Sequence, residues 1–276
     1  MTPALPARDH TERHQRGLEV LRTLGDTDAP DKAARFMVNR YGPLGSCATD
    51  LVAGDCWGRH QLSRRDRSLI VVSLLAAQGA DEELELHARA ALTHGCRREE
   101  VEEALLTVAG YVGFPMAMAA ARVVEEVWKS IDGVDRLPRR AGLEPLGDVE
   151  RRRRAAIART AMTGSDEIDP DDLASSLIEQ FGGVGEMLDH WILGELWSRP
   201  QLTRRDRSLV VLALLGLLRC HDEVRDQARA ALRHGATRSE VEEVCVQLSL
   251  YAGVPRAIEA ITIVRATWDE IDDVGR

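Results

Sequence analysis

Aromatic side chains make up only 4% of this 276-residue chain, although 44% of it is hydrophobic. A core with so few rings must be built from Leu, Val and Ala, which favours packed helices over a β-sandwich. Excess positive charge is also missing. The 36 Lys and Arg face 45 Asp and Glu, giving a net charge of −9, which argues against a nucleic-acid partner. The local exception, Arg151-Arg152-Arg153-Arg154, has no neighbouring aromatics to stack bases and reads as a solvated helix face. Long apolar runs are absent too. The longest, 209–218, is about half of the ~20 residues a membrane span needs. Residues 1–17 contain no apolar stretch of the kind that marks a secretory signal, so a soluble, cytoplasmic protein is expected. The five cysteines, at 47, 56, 96, 220 and 245, form no regular framework and no Cys-x-x-Cys pair. That pattern points to free thiols in a reducing compartment. No His-Glu-x-x-His, clustered Cys/His spacing or glycine-rich phosphate loop occurs, so neither a metal nor a cofactor is expected.

What the chain does have is itself, twice. Gln61-Leu62-Ser63-Arg64-Arg65-Asp66-Arg67-Ser68-Leu69 returns with one substitution as Gln201-Leu202-Thr203-Arg204-Arg205-Asp206-Arg207-Ser208-Leu209. The offset of 140 then continues without a gap. Gly95 answers Gly235, and Tyr111, Gly113, Pro115 and Trp128 answer Tyr251, Gly253, Pro255 and Trp268. A period this long exceeds the ~20–50 residues of a solenoid repeat and marks a duplicated domain. We divide the chain into residues 1–138 and 139–276, joined through the Pro- and Gly-containing linker 133–145. Positions where the copies agree read first as packing, and polar positions where they differ read as candidates for function.

Each copy reads as a string of helices. Ser63 and Thr203, each with an acidic residue three positions on, have the form of N-caps. The apolar runs that follow, 69–77 and 209–218, fit strand or buried helix by periodicity alone, and the caps and the length decide for helix. Helices over 82–94 and 222–234 should be closed by Gly95 and Gly235 in the left-handed conformation. Residues 99–112 show clean helical spacing of apolar positions, and Pro115 and Pro255 suit the first turn of one more helix. The expected fold is all-α, with two homologous halves packed about a pseudo-two-fold axis.

Glu83 and His87 lie four residues apart and so share a helix face, where a carboxylate could orient an imidazole that moves a proton next to a carbonyl. The second copy keeps Glu223 but carries Gln227, which can donate a hydrogen bond yet cannot shuttle a proton. The halves therefore divide their labour. Trp57 and Trp197 agree between copies, with core packing the default and a pocket wall the sharper reading. His94 and His234 fall in last helical turns, where a charged imidazole would favour the helix dipole.

The pattern Arg67-Ser68-Leu69, then Glu83-Leu84-x-Leu86-His87-x-Arg89-x-Ala91, Gly95, Glu100 and Tyr111-x-Gly113-x-Pro115 resembles the carboxymuconolactone decarboxylase family, which includes the alkylhydroperoxidase D proteins. The second copy is similar, and together the matches cover most of both halves. The resemblance implies an all-helical fold of the alkylhydroperoxidase D type in ring-shaped assemblies, with pockets near subunit contacts. Peroxidase members carry Cys-x-x-Cys-x-x-x-His. Here Ala80, Glu83 and His87 stand at those positions, and Cys220, Glu223 and Gln227 stand in the second copy. Neither half can form the internal disulfide. The glutamate, with Ser68 and Ser208 upstream, resembles the decarboxylase branch instead.

By that resemblance His87 is the proton donor or acceptor and Glu83 its partner. Arg67, Ser68 and Trp57 are substrate-binding candidates, Arg67 because a guanidinium grips a carboxylate in bidentate fashion. Cys220, Glu223 and Gln227 form a degenerate counterpart. The implied activity is a cofactor-independent decarboxylase-like lyase or isomerase acting on a small carbonyl or lactone acid. The competing readings are a thiol-dependent peroxidase-like protein using Cys220, and a structural or regulatory homologue with decayed sites. No nucleic acid, membrane or metal is expected as a partner. A duplicated chain of a ring-forming family is expected to assemble as a trimer standing in for a hexamer.

Overall fold

A computed structural model describes residues 9–137 and 142–274. The expected boundary between 138 and 139 lies outside the described residues. Among them there are helices and no strand. The first half comprises α1 (His10–Leu24), α2 (Pro30–Tyr41), α3 (Pro43–Cys47), a π-helical stretch Ala48–Trp57, α4 (Arg64–Gln78), α5 (Asp81–Thr93), α6 (Arg98–Tyr111) and α7 (Phe114–Asp132). The second half repeats the order as α8 (Asp148–Thr163), α9 (Pro170–Phe181), α10 (Gly183–Met187), a π-helical stretch Leu188–Leu193, a short 3₁₀ turn Leu196–Ser198, α11 (Arg204–Leu218), α12 (His221–Arg233), α13 (Arg238–Tyr251) and α14 (Val254–Val274). No described helix is long and apolar enough to cross a membrane.

The local chemistry explains the boundaries. Ser63 Oγ accepts from Asp66 N at 3.0 Å and Thr203 Oγ1 from Asp206 N at 3.1 Å, so α4 and α11 start where the caps place them. Gly79 ends α4 in the left-handed conformation at φ 67°, while its counterpart Arg219 is held at φ 61° without glycine's freedom. α4 and α11 are buried along almost every residue from Asp66 and Asp206 onward, as expected of helices that are apolar all round.

The two halves share their cores. Leu202, Val210 and Leu214 of the second half lie in the cluster formed mainly by the first, and Leu62, Ile70 and Leu74 lie in the other. The exchange is reciprocal in charge as well. Arg65 donates to Asp206 and Arg205 to Asp66, each at 3.0 Å.

The repeat offset is not 140 everywhere. A side chain on Gly54 would strike the Arg13 carbonyl at 2.4 Å, and one on Gly194 the Arg151 carbonyl at 2.7 Å. These matched crossings pair Arg13 with Arg151, so α8 corresponds to α1 at an offset of 138. By that register Thr23 corresponds to Ala161 and Leu21 to Arg159, two differences that shape the two sites.

Candidate active site

α5 buries Leu84, His87, Ala88 and Ala91. These positions form one stripe of its surface, so His87 points inward at 5% exposure. The π-helical stretch ends by placing Trp57 against it, with ring centroids 5.6 Å apart and planes inclined by 27°. The third wall comes from the other half. Tyr251, the last residue of α13, meets His87 edge-on at 5.5 Å, with its hydroxyl 3.4 Å from Nε2. Trp57 Nε1 donates to that hydroxyl at 2.8 Å, which leaves the phenolic proton free to point at the imidazole. His87 Nδ1 is buried without a partner. Burial, with a smaller push from His94, lowers the His87 pKa to about 3, so the ring is neutral at physiological pH. Burial also raises the Tyr251 pKa, so the phenol stays protonated.

The structure does not bring all the expected residues together. Glu83 is exposed on α5, and the Glu83–His87 contact is not made, because among the described residues the ring's hydrogen-bonding neighbour is Tyr251. The two residues share a helix face by sequence spacing, yet the imidazole turns into the core and the carboxylate turns to water. Arg67 is fully buried and is no free clamp for a substrate carboxylate. Its Nη2 donates to the Arg59 carbonyl at 2.9 Å, and its Nη1 lies 2.9 Å from Glu243 Oε1, off the line of a hydrogen bond. Arg59 Nε grips the same carboxylate at 2.7 and 2.9 Å.

Ser68 is fully buried as well, and its hydroxyl meets His94 Nδ1 at 2.8 Å rather than facing a pocket. His94 Nε2 reaches Thr23 Oγ1 at 3.0 Å. Burial lowers the His94 pKa to about 4, so it is a neutral hydrogen-bonding link and not the charged helix cap its position suggested. Of the substrate-binding candidates, Trp57 alone walls His87. Tyr251 is the residue that sequence reasoning missed. Both copies keep a tyrosine there, so the comparison flagged it as packing.

The second copy repeats the frame with different contents. Trp197 Nε1 donates to Tyr111 OH at 2.9 Å, and Gln227 occupies the imidazole's position, buried, with its Nε2 unpartnered. Ser208 meets His234 Nδ1 at 2.7 Å. His234 Nε2 has no partner, because Ala161 offers no hydroxyl where Thr23 does. A cavity of about 500 Å3 opens here, lined by Tyr111, Trp197, Gln227 and several arginines.

Cys220 caps α12 half-buried, and burial followed by the charge of Glu223 raises its pKa, the opposite of thiol activation. Burial holds the Cys56, Cys96 and Cys245 thiols near 12, and no cysteine is in a disulfide. Among the described residues no three His, Cys, Asp or Glu side chains converge in a way that could hold a metal ion.

The model of the carboxymuconolactone decarboxylase family matches residues 47–126 and again 183–266. The chain is 40% identical over 78 residues to 4-carboxymuconolactone decarboxylase of Acinetobacter baylyi, covering 28% of this chain and 58% of that protein. It is 32% identical over 90 residues to nitrosuccinic acid decarboxylase npaB of Metarhizium robertsii, covering 33% and 63%. It is also 30% identical over 91 residues to an uncharacterized 15.0 kDa protein of Paracoccus denitrificans, covering 32% and 66%. The match thus spans less than two thirds of each of these relatives.

Proposed function

The chain belongs to the carboxymuconolactone decarboxylase family, and from that membership we propose that it is a cofactor-independent, decarboxylase-like lyase or isomerase acting on a small carbonyl or lactone acid. The observation that carries this reading is His87, a neutral imidazole buried between Trp57 and Tyr251, present in one copy and replaced by Gln227 in the other. The relatives named for decarboxylating 4-carboxymuconolactone and nitrosuccinic acid support the same class of chemistry.

Two proton routes start from a neutral ring. In an isomerisation, Nε2 takes a proton from the carbon beside a carbonyl, the C–H pair becomes an enolate, and the imidazolium returns the proton to another carbon. In a decarboxylation, the bond to the substrate carboxylate breaks, its electron pair forms the enolate, and CO2 leaves. A proton held on His87 then passes to the carbon. The bound substrate's negative charge would supply the upward pKa shift that lets the ring hold that proton. Tyr251, with its hydroxyl proton free, would donate to Nε2 or to the enolate oxygen. Trp57 would wall the site, and Glu83 would act from the rim through its charge.

The test is CO2 release and solvent-deuterium incorporation at carbon, measured on 4-carboxymuconolactone, nitrosuccinate and a panel of small lactone and keto acids. Turnover that survives Cys220→Ser and collapses in His87→Gln supports the reading. Turnover that survives His87→Gln and collapses in Cys220→Ser would establish the thiol reading in its place.

A further inference from the structure

The second copy lacks a proton-transferring group, yet it lines a cavity of small-molecule size. Its volume of about 500 Å3 lies within the ~300–1,000 Å3 typical of ligand pockets. Two hydrogen-bond donors lie in its wall. Gln227 is only 7% exposed and its amide Nε2 makes no hydrogen bond, a costly state that a ligand acceptor would relieve. Tyr111 accepts from Trp197 Nε1, so its own hydroxyl proton is uncommitted. Burial raises the Tyr111 pKa to about 12, which keeps that proton in place.

The same cavity has gained positive charge. Arg159 and Arg233 line it, where the first copy has Leu21 and Thr93 at the corresponding positions. Arg159 makes no ion pair among the described residues, and Arg233 donates to the Met162 carbonyl, which leaves its charge uncancelled. Asp226, a lining residue that stands where the first copy has Leu86, and Glu270 already pair with Arg229, so Glu223 is the acidic lining residue left to set against the two arginines. Apart from Thr163, the rest of the lining, including Leu188, Ile192 and Trp197, is apolar. Decay alone gives no reason for two arginines to appear around an unsatisfied amide.

We propose that the second copy is a binding site, separate from the first-copy chemistry, for a small acid with an apolar ring. Its carbonyl or hydroxyl oxygen would meet Gln227 and Tyr111, and its carboxylate would lie between Arg159 and Arg233. Such a ligand is held without being turned over, because neither donor can carry a proton to or from carbon at neutral pH.

The test is calorimetric titration of the full chain with 4-hydroxybenzoate at low salt, with methyl 4-hydroxybenzoate as the uncharged control. Saturable binding of the acid is expected, with weaker binding of the ester. Gln227→Leu, and separately Arg159→Leu with Arg233→Thr, should each weaken it roughly tenfold. Tyr251→Phe, the matched change at the His87 site, should leave it unaltered. Should Gln227→Leu fail to fold, Tyr111→Phe removes one hydroxyl and reads the same contact. The proposal is overturned if the acid shows no saturable binding, if the ester binds equally well, or if Tyr251→Phe weakens binding as much as the second-copy changes. None of these outcomes bears on whether His87 turns over a substrate.

Discussion

At the scale of single residues the site rests on an imidazole whose charge has been removed by burial. General acid–base transfer contributes ~10²–10⁴-fold, so His87→Gln should lower kcat by about that factor while the circular dichroism spectrum stays unchanged. Glu83→Gln should change kcat less than about threefold, since no hydrogen bond links it to the ring and exposed charges are screened. Because the free-enzyme pKa of His87 is about 3, the acid limb of kcat/KM should fall well below the pH 6–7 of an ordinary histidine.

Stability should move the other way with acid. His87, His94 and His234 have folded pKa values of about 3, 4 and 4, against about 6.5 in an unfolded chain. Above pH 6.5 all three are neutral in both states and the stability is fully present. Between 6.5 and 4 the unfolded chain takes up protons that the folded one refuses, so the urea midpoint should drop across that window. A flat midpoint from pH 7 to 4 would show that these rings are solvated. His87 was legible in the sequence because one copy lost it. The burial of Arg67 and Ser68 was not, because a motif gives residue types and not the direction in which side chains point.

At the scale of elements the sequence was most informative where short-range chemistry decides. Ser63 and Thr203 cap α4 and α11 as their spacing predicts, and each cap turns a would-be strand into a helix start. Ser63→Ala and Thr203→Ala should each cost about 1 kcal/mol in urea unfolding. A loss below ~0.3 kcal/mol at both would mean that packing alone sets these boundaries. The π-helical stretches Ala48–Trp57 and Leu188–Leu193 were not legible. Their extra residue per turn matches neither the 3.6 nor the 2 period that patterning detects. Yet the first of them aims Trp57 at His87. The two-residue shift of α8 was equally hidden, since the motifs that reveal the repeat all lie downstream of it. That shift sets Arg159 opposite Leu21 and Ala161 opposite Thr23, and so makes two different sites from one ancestral frame.

At the scale of the whole molecule the halves are cut from a single interface, and each site borrows its tyrosine from the other half. We propose that the apolar side chains exposed at matching places, Tyr41 with Phe181 and Leu44 with Val184 among them, are covered by further copies of the chain. Light scattering should then give a mass about three times 30.5 kDa, and a single-chain mass would remove the trimer. Within one chain the halves are held by buried charge exchanged between them. Glu243 of the second half neutralises Arg59 and Arg67 of the first, and Glu103 does the same for Arg199 and Arg207. Arg67 has no exposed surface, so without Glu243 its charge would have no route to water. Removing one partner of a buried pair typically costs about 3–5 kcal/mol. Asp132 holds Arg98 at the surface, where solvent screens the pair, so its replacement by Asn should cost little. Glu243→Ala should therefore destabilise the chain several times more than Asp132→Asn, read as the shift in its urea unfolding midpoint. If the two variants unfold at the same urea concentration, the exchanged carboxylates do not tie the halves together, and the shared apolar cores must do so alone.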